Sequence, residues 1–398
     1  MKRFKTKLTL LLILVGFMST VHAETSQEFY KENYETSREQ FLKNIEDLKN
    51  TIPGLQHQAH PILSQVTKDL FTDTLYLPPA SGKTDRLLIL LSGTHGVEGY
   101  AGSALQNIFI KENFWQKRDD NLGILIVHAL NPYGFKLNRR VSEANVDLNR
   151  NFDTSSDLFL LKNEGYQEVS PLLNPTGPAG SGFIDRAIFY AKSLIAIAQH
   201  SMDSLRRAIL KGQYEKPEGI YFGGKTFEPQ KDLLEKILLE TASGYKQILL
   251  IDIHTGYGER GRLHLFADQD PALDDKYLSQ VFAGLPLDYD SKEDFYKATG
   301  GIVVYGAKLF KERARYAGIV FEFGTLDSQT TKGSLDSLYR MVRENQLHQH
   351  GSQSAEDQTK IKNLFSDMFY PRDPAWQNAV TKQFREFLSK SLDNLKAL

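Results

Sequence analysis

Two histidines and a glutamate are the residues of this chain best suited to hold a metal ion. His95 and Glu98 lie three positions apart in a glycine-rich stretch, and His254 lies far along the chain. Glycines let the backbone turn sharply, so that both side chains can face one point. Imidazole and carboxylate are zinc ligands, and three of them leave a fourth position for water, as a catalytic zinc requires. The joint pattern, rather than the weak H-x-x-E spacing alone, predicts one zinc ion per chain.

Two further carboxylates stand where they could support such a centre. Asp252 precedes His254 by two positions, so on a strand both side chains would point to the same side, and the carboxylate could orient the imidazole. Glu322 lies in the middle of an apolar run. Burying a carboxylate is unfavourable unless the group is paired or bound to a metal, so this position itself indicates function.

Four apolar runs provide the elements that must position these residues. They are nearly continuous in Ile, Leu, Val and Phe, which is typical of strands buried on both faces of a sheet. Helical patterns separate them, for example between Phe183 and Leu210. The sequence therefore predicts an α/β fold with a mostly parallel, mixed central sheet flanked by helices. The runs are Leu87–Leu91, Ile124–Leu130, Ile248–Ile253 and Ile319–Phe323.

The candidate chemical residues lie at or just beyond the ends of these runs. His95 and Glu98 follow the first run, His254 directly follows the third, and Glu322 lies near the end of the fourth. In open α/β sheets the ligand site lies beyond the carboxyl ends of the strands. We therefore expect residues far apart in sequence to meet in one crevice at that edge.

The order of motifs resembles the M14-type zinc carboxypeptidase family, and more closely its bacterial branch known as DUF2817. The resemblance rests on His95-x-x-Glu98, on NPYGF at residues 131–135, on VDLNRNF at residues 146–152, and on His254 and Glu322. It covers roughly residues 86–327, which is most of the chain. The string VDLNRNF following NPYGF is long and specific. The resemblance implies a zinc carboxypeptidase-like fold.

The resemblance also implies roles for the metal-site residues. His95, Glu98 and His254 match the zinc ligands of the family. Glu322 matches the general base that takes a proton from the metal-activated water and later passes it to the leaving amine.

Four polar residues match, or lie beside, the family's substrate-binding positions. Asn149 and Arg150 match the pair that holds the terminal carboxylate of the substrate, a role that suits the fork of an arginine. Arg140 resembles the arginine that stabilises the oxyanion. The short spacing to Asn149 leaves the choice between Arg139 and Arg140 open, and Arg139 is kept as a substrate-binding candidate.

Several residues have no clear match in the family pattern. Tyr296 and Tyr305 are both candidates for the mobile tyrosine that the family often carries, and the residue that sets specificity is unassigned. His128 is interpreted as a packed strand residue. His264 follows a glycine-rich turn, which leaves open a place near the site. The turn at residues 221–224 is a candidate for the pocket lining.

Three functions are compatible with these motifs. The first is a metallopeptidase of the carboxypeptidase type, which cleaves a peptide or amide bond near a free carboxylate. The second is a zinc amidohydrolase of N-acyl amino acids, like the desuccinylase and aspartoacylase group, which the DxHTG string at residues 252–256 also resembles. The third is a non-catalytic binding module, which would be expected to have lost a ligand or the base. The expected partner is a peptide or acyl-amino-acid substrate.

Composition narrows the classes of partner and metal site. The chain of 398 residues has a formal net charge of −1 and no basic block after its first residues, which argues against nucleic acid as a partner. It contains no cysteine, which excludes disulfides and thiolate ligands. Any metal must therefore be held by His, Asp or Glu.

The N-terminal segment has the three-part pattern of a cleaved signal peptide over residues 1–23. Basic residues at the start precede the apolar run Leu8–Phe17 and the small residues of Val21-His22-Ala23. We expect an exported protein, periplasmic or secreted, with no membrane contact after cleavage. The remaining prediction is a polar, partly helical lead-in at 24–85, the catalytic domain at 86–330, and C-terminal helices at 331–398 packed on that domain.

Overall fold

Eight strands form one continuous sheet in the part of the chain that the structure describes. The computed structural model describes residues 26–113, 119–289 and 299–398. The strands are β1 (Gln56–Pro61), β2 (Phe71–Leu77), β3 (Arg86–Ser92), β4 (Leu122–His128), β5 (Gln247–Gly256), β6 (Leu263–Ala267), β7 (Leu287–Tyr289) and β8 (Arg315–Gly324). The signal-peptide prediction for residues 1–23 lies outside the described residues.

The sheet has the spatial order β1-β2-β4-β3-β5-β8-β6-β7. Its centre, β4-β3-β5-β8, is parallel throughout and consists of the four strands predicted from the apolar runs. The remaining strands add antiparallel pairings on both sides, at β1-β2, β2-β4 and β6-β8, and one parallel pairing at β6-β7. The predicted α/β fold with a mostly parallel, mixed sheet is confirmed.

The outer strands are short or polar, which is why their apolar pattern is weak. The edge strand β1 has the sequence QHQAHP, contains no buried residue and ends at Pro61. Proline and polar residues are tolerated at an edge because one side of the strand needs no ladder partner. The stretch 24–85 thus contributes a helix, as its pattern indicated, and also two strands of the central sheet.

Twelve helices are described, and most of them cover the faces of the sheet. They are α1 (Tyr34–Lys49), α2 (Gly99–Lys111), α3 (Pro132–Lys136), α4 (Glu164–Leu173), α5 (Phe183–His200), α6 (Met202–Leu210), α7 (Pro229–Thr241), α8 (Asp275–Val281), α9 (Ile302–Phe310), α10 (Thr331–His350), α11 (Ala355–Phe369) and α12 (Pro374–Ala397). Side-chain caps begin many of them, as Thr330 does for α10. None of the described helices is long and apolar enough to cross a membrane.

The core lies on both faces of the sheet. Alternate residues of β3 point to opposite faces, so Leu88 and Leu90 join one apolar cluster while Leu87, Ile89 and Leu91 join the other. Both faces are therefore covered, and the carboxyl edge of the parallel strands is left for the site.

A separate group of helices stands beside that edge. Helices α4, α5, α6 and α10 pack around an apolar cluster of their own, which includes Tyr166, Leu173, Leu205 and Tyr339. We call these four helices the helical wall. Arg206 of α6 donates a hydrogen bond of 2.7 Å to Ser334 Oγ of α10 and so links two members of the wall.

Candidate metal centre and substrate cavity

The turn that carries His95 and Glu98 is held by a close backbone approach. His95 precedes a single 3-10 turn, Gly96–Glu98, just after β3. A Cβ atom at Gly96 would lie 2.1 Å from the carbonyl carbon of Gly134, so only glycine fits there. The amides of Gly96 and Val97 donate to the carbonyl oxygens of Arg140 and Arg139, at 3.0 and 2.9 Å. The segment from Gly134 to Arg140 therefore fixes the orientation of this turn.

Three side chains converge in the interior beyond β3 and β5. Potential ligand atoms of His95, Glu98 and His254 all lie within 4.8 Å of one another. His95 Nδ1 lies 2.9 Å from Glu98 Oε1, and His254 Nδ1 lies 2.9 Å from Glu98 Oε2. The two Nδ1 atoms are 3.1 Å apart. All three residues are buried, with 2 % of each exposed.

The far nitrogen of each imidazole contacts a buried carboxylate. His95 Nε2 lies 3.0 Å from Asp147 Oδ1, and His254 Nε2 lies 2.7 Å from Asp252 Oδ2. Asp252 is held in turn by Thr94 Oγ1, which donates to it at 3.0 Å. A carboxylate at Nε2 favours the tautomer that carries its proton there, which leaves the Nδ1 lone pair facing the centre.

This donor set fits a divalent cation. Two Nδ1 lone pairs and one carboxylate that face a common point repel one another unless a positive charge lies between them. Burial alone would lower the pKa of His254, but Asp252 and Glu98 hold that pKa well above its ordinary value. Burial alone would raise the pKa of Glu98, but His95 and His254 hold it below its usual range. The cluster thus attracts positive charge strongly.

Glu322 lies beside this centre on the neighbouring strand. Parallel pairing of β5 with β8 sets Glu322 opposite His254. Its Oε1 accepts a hydrogen bond of 2.9 Å from the amide of Tyr257. Desolvation, together with the nearby Glu98 carboxylate, raises the pKa of Glu322 to about 8.

An open cavity of about 1230 Å³ lies in front of these residues. His95, Glu98, His254 and Glu322 form its polar floor. Apolar side chains supply much of its wall, including Phe266, Val303, Val304, Met341, Met368 and Phe369. A largely apolar cleft with a few convergent polar groups is the usual form of a small-ligand site.

The structure separates the two neighbouring arginines. Arg140 lines the cavity, and its guanidinium donates to Glu98 Oε1 at 3.0 Å and to Asp147 Oδ2 at 3.1 Å. Arg139 is not among the lining residues. It points away and donates to Glu344 Oε1 at 3.1 Å and to Asn145 Oδ1 at 3.0 Å. Arg140 is therefore the one placed to meet a substrate oxygen.

The Asn149-Arg150 pair is divided in the same way. Asn149 lines the cavity, and its Oδ1 accepts from the amide of Ile302 at 3.1 Å. Arg150 is fully buried outside the lining, and its guanidinium donates to the carbonyl oxygens of Leu210 and Asn149. In this conformation Arg150 supports the cavity wall, while Asn149 faces the cavity.

Sequence comparison places the chain in a family. The family model described as "Protein of unknown function (DUF2817)" matches residues 30–383. The chain belongs to the DUF2817 family. The expected membership, based on the motif order, is thereby confirmed. A search of curated protein sequences found no match.

Solved structures similar to this DUF2817 protein have low sequence identity and low scores. The murein-tripeptide amidase of Escherichia coli O157 is 17 % identical, with 73 % of this chain and 92 % of that chain covered and a TM-score of 0.33. Carboxypeptidase A of Helicoverpa armigera is 12 % identical, with 87 % and 76 % covered and a TM-score of 0.41. Bovine thrombin-activatable fibrinolysis inhibitor is 14 % identical, with 82 % and 98 % covered and a TM-score of 0.43. Scores at this level carry no functional argument.

Sequence reasoning missed one residue of the DUF2817 centre, Asp147. It lies in the VDLNRNF string but was given no role, and the structure places it between His95 and Arg140. Burial alone would raise its pKa, but Arg140 and His95 hold the pKa of Asp147 well below its ordinary value. An aspartate two residues before the candidate Asn149 was the available signal.

The tyrosines and histidines without a match in the family pattern differ in their position relative to the cavity. Tyr305 is buried on α9, donates to Glu235 and does not line the cavity, whereas Tyr296 lies outside the described residues. His264 Nδ1 lies 3.0 Å from Oδ2 of Asp288, a cavity residue, so His264 stands just behind the lining. His128 is packed, as expected, with Nε2 at 2.9 Å from Ser103 Oγ. Tyr221, of the 221–224 turn, lines the cavity.

Proposed function

We propose that this DUF2817 protein is a zinc-dependent hydrolase that cleaves a peptide or amide bond next to a free carboxylate. The observation that carries the proposal is the convergence of His95, Glu98 and His254 with Glu322 in one cavity. Glu322 adds a second carboxylate to this cluster from the adjoining strand, where it can act on a water molecule at the centre. One zinc ion per chain is part of the proposal.

The chain's own residues divide the chemistry between them. A zinc ion bound by His95, Glu98 and His254 would lower the pKa of a water molecule and polarise a carbonyl group. Glu322, beside the centre, accepts the proton of the attacking water and returns it to the leaving amine. Arg140 donates to the oxygen that becomes negative in the transition state. Asn149 donates to the free carboxylate of the substrate, with Arg150 behind it.

A second substrate class, the N-acyl amino acids, is favoured by the apolar wall of the cavity. An acyl group needs apolar contact rather than partners for backbone amides, and Phe266, Val303, Val304 and Met341 offer such contact. The same residues would perform the same steps on either substrate. A non-catalytic binding module is the third reading, which turnover by the purified protein would exclude.

The proposal is tested by digestion of a peptide library and a panel of N-acyl amino acids, with and without a chelator. The Glu322→Gln variant should keep one zinc ion per chain and lose turnover by about 100-fold or more, because the proton acceptor is gone while the ligands remain. Glu312→Gln, at an exposed position of the chain, is the matched control. If Glu322→Gln retains most of the activity, the assignment of the base is wrong.

We also propose export to the periplasm or beyond, from the N-terminal sequence alone. The mass of the mature protein recovered from the expressing cells tests this, since cleavage after Ala23 would leave a chain that begins at Glu24.

A further inference from the structure

A second cavity, open to solvent and with a volume of about 760 Å³, lies between the helices of the helical wall. Side chains of α4, α5, α6 and α10 line it, among them Val169, Leu172, Ile197 and Leu205. It adjoins the cavity of the metal centre, because six residues line both: Leu210, Tyr221, Tyr257, Ser328, Ser337 and Met341. These six residues therefore form a partition between the two cavities. A molecule bound at the candidate metal centre lies next to this partition and could extend beyond it into the second cavity.

Several polar groups around the second cavity are hydrogen-bonded within the protein itself. Ser193 Oγ donates to the carbonyl oxygen of Phe189 at 2.9 Å. Arg206 donates to Ser334 Oγ, which donates in turn to the carbonyl oxygen of Ser328 at 2.6 Å. An extended peptide would bury its amides there without partners, which is unfavourable, whereas a hydrocarbon chain would lose nothing.

Ser337, which stands at the partition, differs from these groups. Its Oγ atom is buried and has no hydrogen-bond partner among the described residues. A helical serine usually bonds to a carbonyl of its own helix, so an unpaired hydroxyl between two cavities is unusual. It could donate to a carbonyl oxygen of a molecule that passes from one cavity to the other.

We propose that the second cavity binds the aliphatic chain of a substrate whose amide lies at the metal centre, and that the substrate is an N-acyl amino acid with a medium or long acyl chain. This rests on the proposed function and specifies its substrate class. The amino acid carboxylate is directed to Asn149, and the amide carbonyl lies near Arg140 and the candidate metal ligands. The hydrocarbon chain passes Ser337 into the helical wall.

The test uses the full zinc-loaded protein and one amino acid, alanine, carrying acetyl, butanoyl, octanoyl or dodecanoyl groups. We expect kcat/KM to rise by about fourfold for each methylene that enters the cavity, until the chain fills it. Ile197→Trp, which fills the cavity, should abolish the rise, and the smaller Ile197→Phe should shorten the preferred chain. Ile195→Trp is the matched control, because Ile195 lies on the same helix but is 57 % exposed. Its dependence on chain length should equal that of the parent.

Two results would overturn the inference. One is a kcat/KM that does not depend on the length of the acyl chain. The other is a higher kcat/KM for dipeptides of alanine and leucine, assayed alongside, than for every N-acylalanine. Hydrolysis of N-acetylalanine would then still support the proposed function. If no compound is hydrolysed, calorimetric titration decides. Tighter binding of N-dodecanoylalanine than of N-acetylalanine, lost in the Ile197 variants, would support the cavity while the hydrolase proposal fails. Equal binding would refute the cavity as well.

Discussion

At the scale of single residues, Asp147 contacts both a candidate metal ligand and an arginine. One carboxylate oxygen faces His95 Nε2 and the other accepts from Arg140 Nε. Asp147→Asn should lower zinc affinity about 10-fold to 100-fold, because the amide orients the imidazole less well and supplies less negative charge. Competition with a fluorescent chelator measures this affinity. Asp153→Asn, whose carboxylate pairs with Lys308 elsewhere, should leave it unchanged. Equal affinities in both variants would contradict the role of Asp147.

Arg139 and Arg140 are adjacent in sequence, but we expect substitution of Arg139 to lower stability and substitution of Arg140 to lower activity. Arg140→Lys keeps the charge but loses the two-pronged donor, so kcat/KM should fall about 100-fold with little change in stability. Arg139→Ala leaves the buried Glu344 paired with Lys362 but without its arginine, and should lower the free energy of unfolding by about 2 kcal/mol. Urea unfolding and kinetics on both variants separate the effects. If the folded Arg139→Ala protein has a lower kcat/KM than the parent, Arg139 contributes to substrate binding after all.

At the scale of elements, the register of parallel strands brings the chemistry together. The pairing of β5 with β8 sets His254 opposite Glu322, and the pairing of β3 with β5 sets Ser92, three residues before His95, opposite Ile253. Side chains alternate along a strand, so a shift of one residue in either pairing would point a ligand or the base away from the cavity.

The 3-10 turn after β3 is the element most sensitive to a small change. Gly96→Ala would place a methyl group within the backbone of Gly134, and neither segment can move without displacing His95 or Glu98. We expect loss of zinc binding and a lower melting temperature, measured by metal analysis and calorimetry. Gly182→Ala is the control, since its added Cβ would meet only the movable Asp185 carboxylate at 3.2 Å. A Gly96→Ala protein with full zinc content would show that the turn can relax.

At the scale of the whole molecule, a buried histidine makes stability depend on pH. His128 is fully buried, stacks on Phe41 with ring centroids 4.4 Å apart and lies near Asp73 and Arg38. Burial lowers its pKa from 6.5 to about 4. The folded state therefore binds this proton later than the unfolded state as the pH falls.

The sign of the effect follows from that order. The stability contributed by neutral His128 is complete above pH 6.5 and is lost as the pH falls toward about 4, by about 1.4 kcal/mol per pH unit. Urea unfolding at several pH values should show a shallower acid dependence for His128→Gln than for the parent. His350→Gln, at an exposed position, should keep the parent's slope. Parallel slopes in all three proteins would refute the assignment.

The sequence by itself determined the central sheet and which three side chains form the candidate metal site. Continuous apolar runs predict buried strands because a doubly covered sheet must exclude polar side chains, and β3, β4, β5 and β8 followed that rule. The types of the candidate metal ligands could also be predicted from the sequence, because only His, Asp and Glu remain in a chain without cysteine. The edge strands could not be predicted from the sequence, because β1 is polar and β7 has only three residues.

Only the tertiary structure decided which polar residues face the cavity. Arg139 and Arg140 have the same side chain and adjacent positions, but one contacts Glu344, about two hundred residues later, and the other contacts Glu98. The role of Asp147 and the second cavity depend in the same way on segments distant in sequence. Local patterns report burial and secondary structure, whereas the partner of a charged side chain is set by which distant element packs against it.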